Sequence, residues 1–134
     1  RANRIIRRVR VPNCVNDHGL LIDAARRLAF VTCDGNAKLL TLNLKTMSFT
    51  GTFTVGRSPD VLAFDPAKRR LYVSAESGVV SVFAETKTSA RPLGISFLAR
   101  EAHTVAVDPA THLVYFPLQS GSNGQPQLLI MRPT

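Results

Sequence analysis

The chain has 134 residues, of which 45% are hydrophobic and 19% charged, a balance that fits one globular domain and excludes a disordered segment. Every apolar run is broken by Arg, Asp or Pro well short of the roughly 20 residues of a membrane-spanning helix, and the opening residues carry no apolar targeting segment. The net charge is +8, but there is no Trp and the Phe and Tyr residues fall inside apolar strand patterns; nucleic-acid binding is therefore not expected, and the basic groups read as a solvated face.

The first residues are basic, with Arg1, Arg4, Arg7, Arg8 and Arg10, and they interleave with Ile5 to Val11, which is expected to be a strand. From Gly19 onward the chain repeats itself, and the repeat is its dominant signal. Gly19 to Val31, Val61 to Val73 and Thr104 to Phe116 align without gaps on Asp23, Asp65 and Asp108, which stand 42 and 43 residues apart. Seven residues after each Asp comes an aromatic: Phe30, Tyr72 and Tyr115. Short strands recurring at roughly 40 to 45 residues match the spacing of β-propeller blades.

Each unit reads as four strands. An apolar inner strand ends at the Asp, whose side chain can accept a backbone N–H in the turn that follows; Pro66 and Pro109 preset φ there. A second strand runs through the aromatic, and a polar Gly-containing loop follows it. Third strands are expected at Leu39 to Leu44, Val79 to Phe83 and Leu128 to Met131. Fourth strands are expected at Phe49 to Val55 and Gly94 to Leu98. No segment has sustained helical periodicity. The expected fold is all-β: about three propeller blades, at 18–59, 60–102 and 103–134, behind a leading outer strand and loop at 1–17.

The third blade has no fourth strand, and the leading strand has no blade of its own. About four to eight blades are needed for a ring, so the three here form an incomplete one. Its open flanks call for a partner, either a second copy of the chain or the remaining blades of a longer one.

The middle repeat, Val55-Gly56-Arg57-Ser58-Pro59-Asp60-Val61-Leu62-Ala63-Phe64-Asp65-Pro66 with Arg70-Leu71-Tyr72-Val73-Ser74, resembles that of the YVTN/lactonase-like propeller family, and the resemblance extends over roughly residues 18 to 131. The family's Thr-Asn pair after the aromatic strand is replaced by Thr32-Cys33, Ser74-Ala75 and Pro117-Leu118. The resemblance implies a propeller. The family includes lactonase-like enzymes and many members without an assigned activity, so it implies no particular chemistry.

In such propellers the inner strand lines the central channel. Five residues before each anchoring Asp stand His18, Asp60 and His103, at one level of the channel mouth. Two imidazoles and a carboxylate are donors for a divalent transition metal, which could polarise a lactone carbonyl or activate water. Without a metal they are polar groups facing water. Asn16, Asp17, Asn36 and Glu76 lie nearby and offer oxygen donors of the kind Ca²⁺ takes. Asp23, Asp65 and Asp108 repeat too regularly to be catalytic and are assigned to turns. Tyr72 and Tyr115 are assigned to the core, and His112 to a solvated turn. No Gly-x-Ser-x-Gly elbow or phosphate-binding loop is present.

Cys14 enters the first inner strand and Cys33 ends the next strand on the same face, so a disulfide is within reach; two reduced buried thiols are the alternative. The disulfide reading goes with a secreted or periplasmic protein. Two readings of function follow. The first is a non-enzymatic propeller module for a small-molecule or protein ligand. The second is a metal-dependent lactonase-like hydrolase or lyase using His18, Asp60 and His103. A structural piece whose partner blades hold the site is a third.

Overall fold

A computed structural model describes residues 3–134. Arg1, the first of the leading arginines, lies outside the described residues. Eleven β-strands and one 3₁₀ turn account for the regular structure among the described residues. Blade 1 is a four-stranded antiparallel sheet of β1 (Asp17–Asp23), β2 (Leu28–Cys33), β3 (Lys38–Asn43) and β4 (Ser48–Thr54). Blade 2 repeats it with β5 (Pro59–Asp65), β6 (Arg70–Ala75), β7 (Val79–Glu85) and β8 (Ala90–Phe97). Blade 3 has three strands, β9 (Ala106–Asp108), β10 (Leu113–Leu118) and β11 (Gln127–Met131). These are meandering propeller blades, and the ring they begin is not closed.

Alternation along each strand sends one set of side chains to the preceding blade and the other to the following one. Leu28, Phe30 and Leu39 of blade 1 pack against Leu71, Val73 and Phe83 of blade 2, with Leu62 and Phe64 of β5 at the margin. On its other face blade 2 presents Ala63, Tyr72 and Val80, which meet Val105, Val114 and Phe116 of blade 3. The hydrophobic cores therefore lie between blades, and no blade buries its apolar residues alone.

Each anchoring aspartate closes its turn as the repeat predicts. Asp23 Oδ1 accepts the N–H of Ala25, Asp65 Oδ1 those of Ala67 and Lys68, and Asp108 Oδ1 that of Ala110. The last residue of each turn, Arg27, Arg69 or His112, has positive φ.

Two expectations are corrected. Ile5 to Val11 forms no strand, and Ile5 and Ile6 are exposed. A strand needs a ladder partner for its N–H and C=O groups, and the unpaired edge it would suit belongs to blade 3, at the far end of the row. The fourth strand of blade 2 begins at Ala90 rather than Gly94. Pro92 had masked it, but this is an edge strand, where a missing N–H is tolerated, and the register shifts opposite Pro92 between Val82 and Phe83.

Gly19 stands where blades 1 and 2 approach closely. A Cβ there would run into the Asp60 carbonyl oxygen, Thr32 Oγ1 and Leu62 Cδ1. Because the obstruction includes backbone, Gly19→Ala is expected to destabilise the protein by about 1 to 3 kcal/mol. Urea denaturation followed by circular dichroism measures this; an unchanged midpoint would show that the two inner strands can move apart freely.

Candidate functional site

The structure brings His18, Asp60 and His103 together at the end of the inner strands where the chain enters each blade. His18 lies on β1, Asp60 on β5, and His103 in the loop before β9. His18 Nε2 is 3.1 Å from Asp60 Oδ1, and His103 Nδ1 is 2.7 Å from Asp60 Oδ2. One carboxylate thus accepts from an imidazole on each side, one hydrogen bond across each blade junction. His18 is the most open of the three, with 60% of its side chain exposed against 29% for His103 and 23% for Asp60.

The row is held from behind by backbone. Ser74 Oγ donates to the carbonyl oxygens of Val61 and His103, and Gly19 N–H donates to Thr32 Oγ1. The second imidazole nitrogens, His18 Nδ1 and His103 Nε2, have no protein hydrogen-bond partner among the described residues. Among those residues no group of three or more His, Cys, Asp or Glu is arranged to hold a metal ion. The imidazole nitrogens aimed at Asp60 are engaged with its oxygens, so a metal using them would have to displace both hydrogen bonds.

The oxygen-bearing residues nearby do not form one cluster. Asn36 is occupied with the loop that enters β1: its Oδ1 accepts Val15 N–H at 3.3 Å and its Nδ2 donates to Asn13 O at 2.9 Å. Asn36 and Glu76 both line a shallow polar pocket of about 700 Å³. Asp34 and Arg57 share that pocket; Asn16 and Asp17 do not line it. The guanidinium of Arg57 gives the pocket a mixed charge that an oxygen-only cation site lacks.

Cys14 and Cys33 form a disulfide, with Cα atoms 5.4 Å apart. It fastens the entering loop to blade 1. Two backbone bonds, Asp34 N–H to Asn16 O and Gly35 N–H to Val15 O, reinforce the same junction.

At the opposite ends of the inner strands lies an arrangement that the sequence reading missed. His112, expected to be solvated, places Nδ1 2.8 Å from Oδ2 of Asp65 in the preceding blade. Arg69, expected on a solvated basic face, turns inward against the Glu85 carboxylate and lies 3.7 Å from Oδ2 of Asp23, again in the preceding blade. Burial alone would raise the carboxyl pKa of Asp65, but hydrogen bonds from Lys68 N–H, His112 and Ala67 N–H and the nearby imidazole outweigh it and hold the group below its ordinary range. Burial likewise lowers Arg69, helped by Arg26 and opposed by Asp23. The signal was present in the sequence: Arg27, Arg69 and His112 each stand four residues after the anchoring Asp.

No protein-family model matches the chain, and no curated protein matches it in sequence. Solved structures do match in fold. The β-propeller domain of Swd1 from Myceliophteria thermophila superposes with a TM-score of 0.72 at 13% identity, over 96% of this chain and 41% of that one. Hydrazine synthase from Kuenenia stuttgartiensis gives 0.69 at 17% identity, over 89% and 33%. A putative 6-phosphogluconolactonase from Bacteroides uniformis gives 0.64 at 15% identity, over 84% and 39%. The chain thus spans between a third and about two fifths of the length of these proteins. At such identities the likeness concerns the propeller fold, which serves enzymes and binding proteins alike.

Proposed function

We propose that the chain is a non-enzymatic β-propeller module that binds a small-molecule or protein ligand on the face carrying His18, Asp60 and His103. The observation that supports this most directly is the mutual engagement of the three groups. Both oxygens of Asp60 accept from imidazoles, so the carboxylate serves to orient the two rings, and among the described residues no Ser or Cys side chain is bonded to either ring. The imidazole nitrogens left without a protein partner are suited to hydrogen-bonding a ligand. The repeat's resemblance to the YVTN/lactonase-like family fits a propeller without choosing between a binding and a catalytic use. The Cys14–Cys33 disulfide supports a secreted or periplasmic location.

A second reading, a metal-dependent lactonase-like hydrolase or lyase, is favoured by one observation: three ligand-type side chains meet in one contiguous row. Metal analysis of protein purified without a His tag, followed by calorimetric titration with Zn²⁺ and with Ca²⁺, separates the two. The binding-module reading expects no stoichiometric ion and no saturable heat. One equivalent of a divalent ion, abolished in His103→Ala, would overturn it in favour of the second.

A further inference from the structure

The polar pocket of about 700 Å³ between blades 1 and 2 is not part of the His18–Asp60–His103 row, none of whose members lines it. Its charged groups come from fixed positions of the repeat. Asp34 and Glu76 each stand eleven residues after an anchoring Asp, in the loop that follows the second strand of a blade. Arg57 stands eight residues before Asp65, in the loop that enters blade 2. The same backbone bonds hold these loops in both blades. Asp34 and Gly35 N–H donate to Asn16 O and Val15 O, and Glu76 and Ser77 N–H donate to Ser58 O and Arg57 O.

The equivalent positions do not assemble this set again. Val15 takes the place of Arg57 in blade 1, and Gln119 takes the place of the carboxylate in blade 3, although Arg100 repeats the arginine. Among the described residues, two carboxylates and a guanidinium therefore meet in one concavity only at the junction of blades 1 and 2. No ion pair joins Arg57 to Asp34 or to Glu76. Arg57 and Glu76 are exposed and Asp34 is half-buried, so water solvates all three. Opposite charges that share a pocket without neutralising each other are available to a ligand that carries both signs.

The lining is fixed before anything binds. Asp34 follows Cys33, which the disulfide ties to Cys14, and the Asn36 side chain bonds the loop that enters blade 1. Such preorganisation lowers the ordering cost of binding. Ser77 lines the pocket too, and its hydroxyl is buried with no hydrogen-bond partner among the described residues, a state that native proteins seldom leave unsatisfied. The volume falls within the range of small-molecule sites.

We propose that this pocket is a second binding site, for a small zwitterion of net positive charge, of the basic α-amino acid class. The ligand's carboxylate meets the Arg57 guanidinium, whose paired N–H groups match a carboxylate in geometry as well as charge. Its two cationic groups, the α-ammonium and that of the side chain, meet Asp34 and Glu76. The three pocket charges sum to minus one and those of the ligand to plus one, so the filled pocket is neutral. A bare divalent cation would share the two carboxylates with the repelling guanidinium and is disfavoured. None of this depends on what the His18–Asp60–His103 row binds.

The test is calorimetric titration of the full chain with L-lysine at low ionic strength, compared with L-norleucine, which lacks the side-chain ammonium, and L-lysinamide, which lacks the carboxylate. Lysine should bind saturably to one site, and each comparison compound about tenfold or more weaker. Arg57→Gln should weaken lysine about tenfold and erase its advantage over lysinamide. Asp34→Asn and Glu76→Gln should each weaken lysine, and the one that faces the side-chain ammonium should erase the advantage over norleucine. Circular dichroism verifies that each variant is folded; the substituted side chains carry none of the backbone bonds that hold the loops. The proposal is overturned if lysine gives no saturable heat at millimolar concentration, if the three compounds bind alike, or if Arg57→Gln leaves lysine binding unchanged.

Discussion

Replacing Cys14 with Ser will lower the unfolding free energy by about 3 kcal/mol, the value expected for a cross-link closing a loop of this length, since Cys14 and Cys33 lie 19 residues apart. For a domain of this size the melting temperature falls by roughly 10 °C. The loss is local in origin: without the bond, the loop at residues 13–16 keeps only the Asp34 and Gly35 N–H bonds and the Asn36 side chain to fix it against blade 1. A thermal melt with and without reductant provides the control. Reductant should bring the unmodified protein to the level of Cys14→Ser and leave the variant unchanged. An unmodified protein that melts identically in both conditions would show that the cross-link does not constrain the chain.

Asp65→Ala should cost about 3 kcal/mol at neutral pH, because it strips partners from His112 and from two backbone N–H groups where the carboxylate is only 2% exposed. The pH dependence has a definite sign. The folded carboxyl is held below its ordinary value of 3.8, so in that region the unfolded chain binds more protons than the folded one. Its contribution is fully present above the ordinary range and is lost as the pH falls through and below it. Urea midpoints measured between neutral pH and acid should therefore bring Asp65→Ala and the unmodified protein closer together as the pH is lowered. A gap that stays constant into acid would mean that the carboxylate contributes shape rather than charge. A double-mutant cycle with His112→Ala isolates the part carried across the blade junction.

Most of the fold was legible because a propeller writes its architecture into a period. The spacing of Asp23, Asp65 and Asp108 fixed the blades, and the turn chemistry of those aspartates fixed the inner ends of the strands. Legibility failed where a segment's state depends on something other than its own sequence. Ile5 to Val11 has strand composition but pairs with no edge among the described residues, and Ala90 to Leu93 was hidden by a proline tolerated only at an edge. The row of His18, Asp60 and His103 was found by counting back from the anchors, since equivalent positions in a repeat fall at one level of the channel. The opposite row was overlooked because Arg27, Arg69 and His112 differ in type and look like surface charge; their common offset from the anchoring aspartates shows only when basic residues are compared as a class.

Because each blade buries its apolar face only against its neighbours, stability along the chain behaves as a row of coupled units rather than as a single core. Blade 2 is gripped from both sides, by Leu28, Phe30 and Leu39 and by Val105, Val114 and Phe116, whereas blades 1 and 3 each pack against one blade among the described residues. Loosening either packed junction therefore weakens blade 2 from that side while the other junction still holds it.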